Sequence, residues 1–140
     1  MAGLLAGFRD WWGRDEPPEE SLAAGVRRLM TEDAEYLLAA QAEGAAPAGV
    51  CQLRYRPVLW RDGDDCFLED LFVREEARRA GLGRSLVDAA VQRARERGCA
   101  RIELDANDAN PPAVTLYEGA GFEAWSEPPG GRNLLFRRHL

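Results

Sequence analysis

Arg78-Arg79-Ala80-Gly81-Leu82-Gly83-Arg84 separates two runs of opposite periodicity. Upstream, Cys66 to Val73 reads as a strand, apolar except at Glu69 and Asp70. Downstream, Leu82 to Arg97 carries Leu82, Leu86, Ala90 and Ala94 on one helical stripe with Val87 and Val91 beside it, and Gly98 stops it. A glycine-spaced turn that opens a helix is an anion site. The first amides of the helix have no intrahelical partner and point outward together, and the macrodipole adds partial positive charge. A diphosphate can therefore be held mainly by backbone that glycine allows to come close. Two common users of this device are excluded: a dinucleotide fingerprint needs glycine where Leu86 stands, and a P-loop needs widely separated glycines followed by Lys-Ser or Lys-Thr. On this motif alone, a turn without a ligand remains the other reading.

A second segment, Asn110-Pro111-Pro112-Ala113-x-x-Leu116-Tyr117-Glu118-x-x-Gly121-Phe122, has the grammar of a short helix. Asn110 is a good cap, proline is tolerated in the first turn, and Gly119 and Gly121 end the helix. Ala113 and Tyr117 fall on one face, so the phenol projects where Ala113 leaves room. Taken together, Arg78-x-x-Gly81-x-Gly83 and Asn110-x-x-Ala113-x-x-x-Tyr117 closed by Gly-Phe resemble the two signatures of the GNAT acetyltransferases, over Cys66 to Trp125. The resemblance implies acetyl-coenzyme A as cosubstrate. Its diphosphate would lie on Arg78, Arg79, Ala80, Gly81, Leu82, Gly83 and Arg84, its pantetheine arm along Leu71, Phe72 and Val73 through the amides of Leu71 and Val73, and its thioester near Asn110 and Tyr117.

Composition bounds the rest. At 140 residues, 46% apolar and 30% charged, the chain is one domain, residues 1–140. No apolar run is long enough for a membrane span, and Met1 to Gly13 lacks the features of a secretory signal, so a cytoplasmic protein is expected. Cys51, Cys66 and Cys99 are widely spaced and form no metal or disulfide framework. All 18 basic residues are arginine, which removes Schiff-base chemistry, and the single histidine, His139, is next to last. No metal site is expected. A net charge of −6 disfavours nucleic acid and suits a cationic small molecule.

Patterning predicts helices over Leu4–Gly13 and Glu19–Met30, then strands over Tyr36–Ala40, Gly49–Trp60 with an interruption near Pro57, and Cys66–Val73, with a hairpin turn at Arg61-Asp62-Gly63-Asp64-Asp65. After the long helix come a strand at Arg101–Ala106, a helix at Pro112–Ala120, and strands at Phe122–Trp125 and Asn133–Arg138. The fold class is mixed α/β, α+β in its pairing: three layers around a mostly antiparallel sheet with parallel pairing near the cofactor. The GNAT family normally begins with a further strand that this sequence lacks. With Asn133-Leu134-Leu135-Phe136 as an apolar edge, a homodimer is expected.

Glu69 and Asp70 are the chemical anomaly of the strand, since a carboxylate is expensive to bury unless it faces water or a partner. Alternation puts Glu69 with Phe67 and Leu71 and Asp70 opposite. Both could instead pair near an open sheet end. Leu68-Glu69-Asp70-Leu71-Phe72-Val73 resembles the corresponding strand of the spermidine/spermine N-acetyltransferase branch. That resemblance makes Glu69 the general base acting through water and Tyr117 the acid for the leaving thiolate, with direct attack by a small-molecule amine in a ternary complex. Arg56-Pro57-Val58-Leu59-Trp60 departs from that branch, which carries an acidic residue there, so the acceptor is not identified. Trp11, Trp12 and Trp60 could line an acceptor pocket alongside Glu69 and Asp70, or be core. The competing functions are an inactive coenzyme A sensor or partner-binding module, and acylation of a protein or peptide.

Overall fold

The computed structural model describes residues 1–60, 62–124 and 138. In chain order the elements are α1 (Ala2–Trp11), α2 (Glu19–Met30), β1 (Ala34–Ala39), β2 (Gly49–Pro57), β3 (Asp64–Val73), α3 (Leu82–Glu96), β4 (Arg101–Leu104) and α4 (Pro111–Gly119), with a short 3-10 turn at Glu75–Ala77. The sheet runs β1-β2-β3-β4, antiparallel except for the parallel β3–β4 pair, and helices cover both faces. This is the mixed three-layer α/β arrangement that the patterning implies.

Each face of the sheet has its own core. On one, Cys51 and Leu53 of β2 and Cys66 and Leu68 of β3 pack against Leu86, Val87, Ala90 and Ala94, the predicted stripe of α3. On the other, Val50 and Phe72 pack against Leu4 and Leu5 of α1 and Val26 of α2. A Cβ on Gly7 would stand 3.3 Å from the Phe72 ring, which is how closely α1 lies on β3.

Three expectations are corrected. The predicted hairpin turn is shorter, because β3 begins at Asp64; Asp65 is buried and takes the Arg101 guanidinium at 2.9 Å, and that ion pair makes burial of the carboxylate tolerable. β2 breaks at Pro57, where the interruption was expected, since proline has no N–H for the ladder, but it does not resume toward Trp60. Phe122 does not start a strand, and Phe122, Glu123 and Ala124 are non-strand. Instead, Phe122 N–H donates to the Tyr117 carbonyl at 3.0 Å and Gly121 N–H to the Glu118 carbonyl at 3.0 Å, with Gly121 at φ 88°, a Schellman closure of α4. Trp125 and Asn133 to Arg137 lie outside the described residues, and with them the predicted last strand and dimer edge; Arg138 is exposed and non-strand.

Candidate active site

β3 outruns its parallel neighbour. Pairing with β4 covers only Asp65 to Leu68, opposite Arg101 to Leu104, while β3 continues to Val73. Beyond Leu68 the strand therefore keeps β2 on one side and opens on the other into a cleft of about 1370 Å³. Leu68 to Val73 form one wall, the turn before α3 the head, and Asp105 to Asp108 with α4 the opposite wall. Phe8 and Trp11 of α1, with Trp12 just after it, close the remaining side.

The head of the cleft is built for an anion. Gly81, at φ 82°, caps α3, and the Ser85 amide is the first to reach back, to the Gly81 carbonyl. The amides of Gly81, Leu82, Gly83 and Arg84 thus have no intrahelical acceptor. Arg79 takes φ 65°, a conformation that side chains seldom adopt and that helps curl the turn. The three arginines of the turn differ in use. Arg78 Nε donates to the Val73 carbonyl at 3.0 Å, and Arg84 is held by Asp88 and by the Gly119 carbonyl at 2.8 Å, tying α3 to α4. The Arg79 side chain has no partner among the described residues. The head thus offers unpaired helix-start amides and, among the described residues, one guanidinium without a partner, the donors that an anionic group such as a diphosphate would use.

The floor departs from simple alternation. Leu53 pairs with Leu68 but Gln52 with Asp70, so Glu69 is an extra residue, a β-bulge. Leu68 and Leu71 consequently share the α3 face, where alternation would separate them. Glu69 is not grouped with Leu71: it stands exposed at the bulge, on the cleft. Asp70 goes to the opposite face, with Phe72 and the α1–α2 layer. Burial, and after it the neighbouring Glu69, raises the Asp70 carboxyl above the ordinary aspartate range.

Tyr117, on α4, lines the cleft and packs edge-on against Phe122, with ring centroids 6.1 Å apart. Burial chiefly raises its phenol, with Cys51 and Asp70 adding to the effect, so the protonated form is favoured. Asn110 occupies the N-cap of α4 without a side-chain cap bond and faces the cleft; its carbonyl takes the Ala113 amide instead. Trp60 does not line the cleft. It is 89% exposed beside the β2–β3 hairpin, at the far end from Val73, whereas Trp11 and Trp12 do line it. Asp105, Asn107 and Asp108 also line the cleft and were not singled out from sequence, although the loop after the carboxyl end of a parallel strand is where an α/β sheet places ligand contacts.

Among the described residues no helix is long and apolar enough to cross a membrane, and no group of His, Cys, Asp and Glu could hold a metal ion.

A family model described as the acetyltransferase (GNAT) family matches residues 5–122. Thialysine N-epsilon-acetyltransferase of Sus scrofa is 31% identical over 95 residues, which is 64% of this chain and 55% of that protein. The chain thus spans about half the length of that relative. Aminoglycoside N(6')-acetyltransferase type 1 of Klebsiella aerogenes is 31% identical over 112 residues, 79% of this chain and 73% of that one. The solved structure of a protein assigned as an acetyltransferase from Arthrobacter sp. FB24 superposes with a TM-score of 0.83 at 30% identity, covering 99% of this chain and 87% of its own.

Proposed function

The chain belongs to the acetyltransferase (GNAT) family, and from that premise we propose that it transfers an acetyl group from acetyl-coenzyme A to a primary amine of a small molecule, by direct attack in a ternary complex. The observation that carries this reading is the open edge of β3: one cleft holds unpaired helix-start amides at its head, Glu69 at the bulge and Tyr117 opposite. Relatives named for thialysine, ornithine and aminoglycosides support an amine acceptor.

When bound, the thioester supplies an activated acetyl group. The turn amides and Arg79 hold its diphosphate, and the Leu71 and Val73 amides hold the pantetheine arm and polarise the carbonyl. An amine arrives as ammonium and loses a proton through water to Glu69; its nitrogen then attacks the carbonyl carbon and the carbon–sulfur bond breaks. Tyr117 protonates the departing thiolate, and the second nitrogen proton restores the phenol. One proton is released per turnover.

Thiol release from acetyl-coenzyme A, measured across small amines, aminoglycosides and peptides, tests the reading. Acetylation of at least one small amine is the expected result. Coenzyme A binding without transfer to any acceptor would identify a sensor instead, and transfer to peptides alone would make it a protein acetyltransferase.

A further inference from the structure

α4 is lightly held. None of its residues is buried, and Leu116 and Tyr117 are only partly covered where they rest on the α3 core. Asn110 caps its start without a side-chain bond. At its end the amides of Ala120, Gly121 and Phe122 donate to the carbonyls of Leu116, Tyr117 and Glu118, and no backbone amide among the described residues reaches that of Gly119. The Arg84 side chain does so instead, Nη1 donating to the Gly119 carbonyl at 2.8 Å. Among the described residues this is the only hydrogen bond between α4 and another element of the fold.

The guanidinium is held from its other side as well. Asp88, one turn further along α3, takes its Nε through both carboxylate oxygens, at 2.8 and 2.9 Å. A cation at the carboxyl end of α4 also meets the favourable pole of that helix. Yet the Arg84 and Asp88 side chains are half exposed, 51% and 55%, and such a pair adds little to stability. What it supplies is position. Gly119 stands two residues past Tyr117, which lines the cleft, while the Arg84 amide is one of those left open at the anion head. The helices already touch beside it, since a Cβ on Gly83 would stand 3.3 Å from the Leu116 side chain. A shift of α4 is therefore a shift of the phenol against the turn.

We propose that the Arg84 side chain is a positioning residue for acetyl transfer: by clasping the end of α4 to the first turn of α3, it sets the distance between Tyr117 and the anion head. One residue then serves the diphosphate through its amide and the departing thiolate through Tyr117. The inference rests on the acetyltransferase reading and on Tyr117 as its acid.

A double-mutant cycle tests it, with Arg84→Met keeping an unbranched side chain and losing the donors. Arg84→Met is expected to lower kcat about 10- to 100-fold, the cost of a misplaced group, with the Kd of acetyl-coenzyme A within about threefold of wild type and Tm little changed. In a Tyr117→Phe background the same substitution is expected to lower kcat less than about twofold, because the group it positions is gone. The full loss in that background, wild-type kcat in Arg84→Met, or a loss seen in Kd alone overturns the inference. Should Arg84→Met not fold, Asp88→Ala, which releases the guanidinium, takes its place in the cycle.

A readout without turnover comes from 3-fluorotyrosine at the three tyrosines of the chain, with the Tyr117 resonance assigned by Tyr117→Phe. In Arg84→Met that fluorine resonance is expected to move while those of Tyr36 and Tyr55 stay; an unmoved Tyr117 resonance overturns the inference. If no acceptor is acetylated, the acetyltransferase reading fails, and the resonance alone decides whether Arg84 places Tyr117.

Discussion

The Arg78 guanidinium lies 5.8 Å from the centroid of the Trp11 ring, and the same side chain hydrogen-bonds the Val73 carbonyl. One residue thereby fastens the end of β3 and the start of the anion turn to α1. Arg78→Ala is expected to cost about 1–2 kcal/mol of stability from the lost cation–π contact and hydrogen bond, and to weaken acetyl-coenzyme A binding. Thermal unfolding and cofactor titration measure the two effects, and unchanged values for both would make the contact incidental.

Gly81 and Gly83 bear on the head of the cleft for different reasons. Gly81 sits at φ 82°, whereas a Cβ on Gly83 would meet the Leu116 side chain at 3.3 Å. Valine at either position is expected to abolish acetyl-coenzyme A binding while the domain stays folded, at a cost of about 1–3 kcal/mol for the strained backbone at Gly81. A folded Gly83→Val protein with normal cofactor affinity contradicts the assignment of the turn.

Glu69→Gln and Tyr117→Phe are each expected to lower kcat by roughly 10²- to 10⁴-fold, the usual range for a lost acid or base, with cofactor affinity little altered. The check is kcat against pH for both variants. Wild-type rates across the range would remove these residues from the proton transfers.

Asp70 makes the stability depend on pH. Its carboxyl is raised above the ordinary value of 3.8 by burial and then by Glu69, so the folded state favours the protonated form. Below that ordinary value both folded and unfolded chains carry the proton and no penalty exists; as pH rises through the raised value, the penalty for ionising in the fold grows to its full size. Asp70→Asn cannot ionise and is expected to raise Tm at about pH 7, with the gain vanishing near pH 3. A gain independent of pH would point to packing instead.

Much of this was legible beforehand because local rules governed it. The stripe from Leu82 to Ala94 is the buried face of α3, and Glu19–Met30 is α2 to the residue. Gly81 and Gly83 sit where the anion turn was read, and the Asn110 helix is α4 within a residue at each end. What escaped was non-local. Phe122 carries β-propensity, but its amide is taken by the Tyr117 carbonyl, and that bond outranks propensity. Trp60 looked like a pocket residue by type, yet Pro57 ends β2 and leaves it on the hairpin. Alternation failed at Glu69 because a bulge is a property of two strands, and the partner residues Gln52 and Leu53 lie far away in the chain.

The bulge has an evolutionary corollary. Deleting Glu69 would keep the frame of the strand: Leu68 and Asp70 would follow one another opposite Leu53 and Gln52, and Leu71 and Val73 would stay on the α3 face with Asp70 on the other. β3 is in effect an ordinary strand with one residue spliced in, and the splice is what presents a carboxylate to the cleft. A single-residue gap at this position should therefore be inherited without loss of the fold, leaving a strand stripped of its cleft carboxylate.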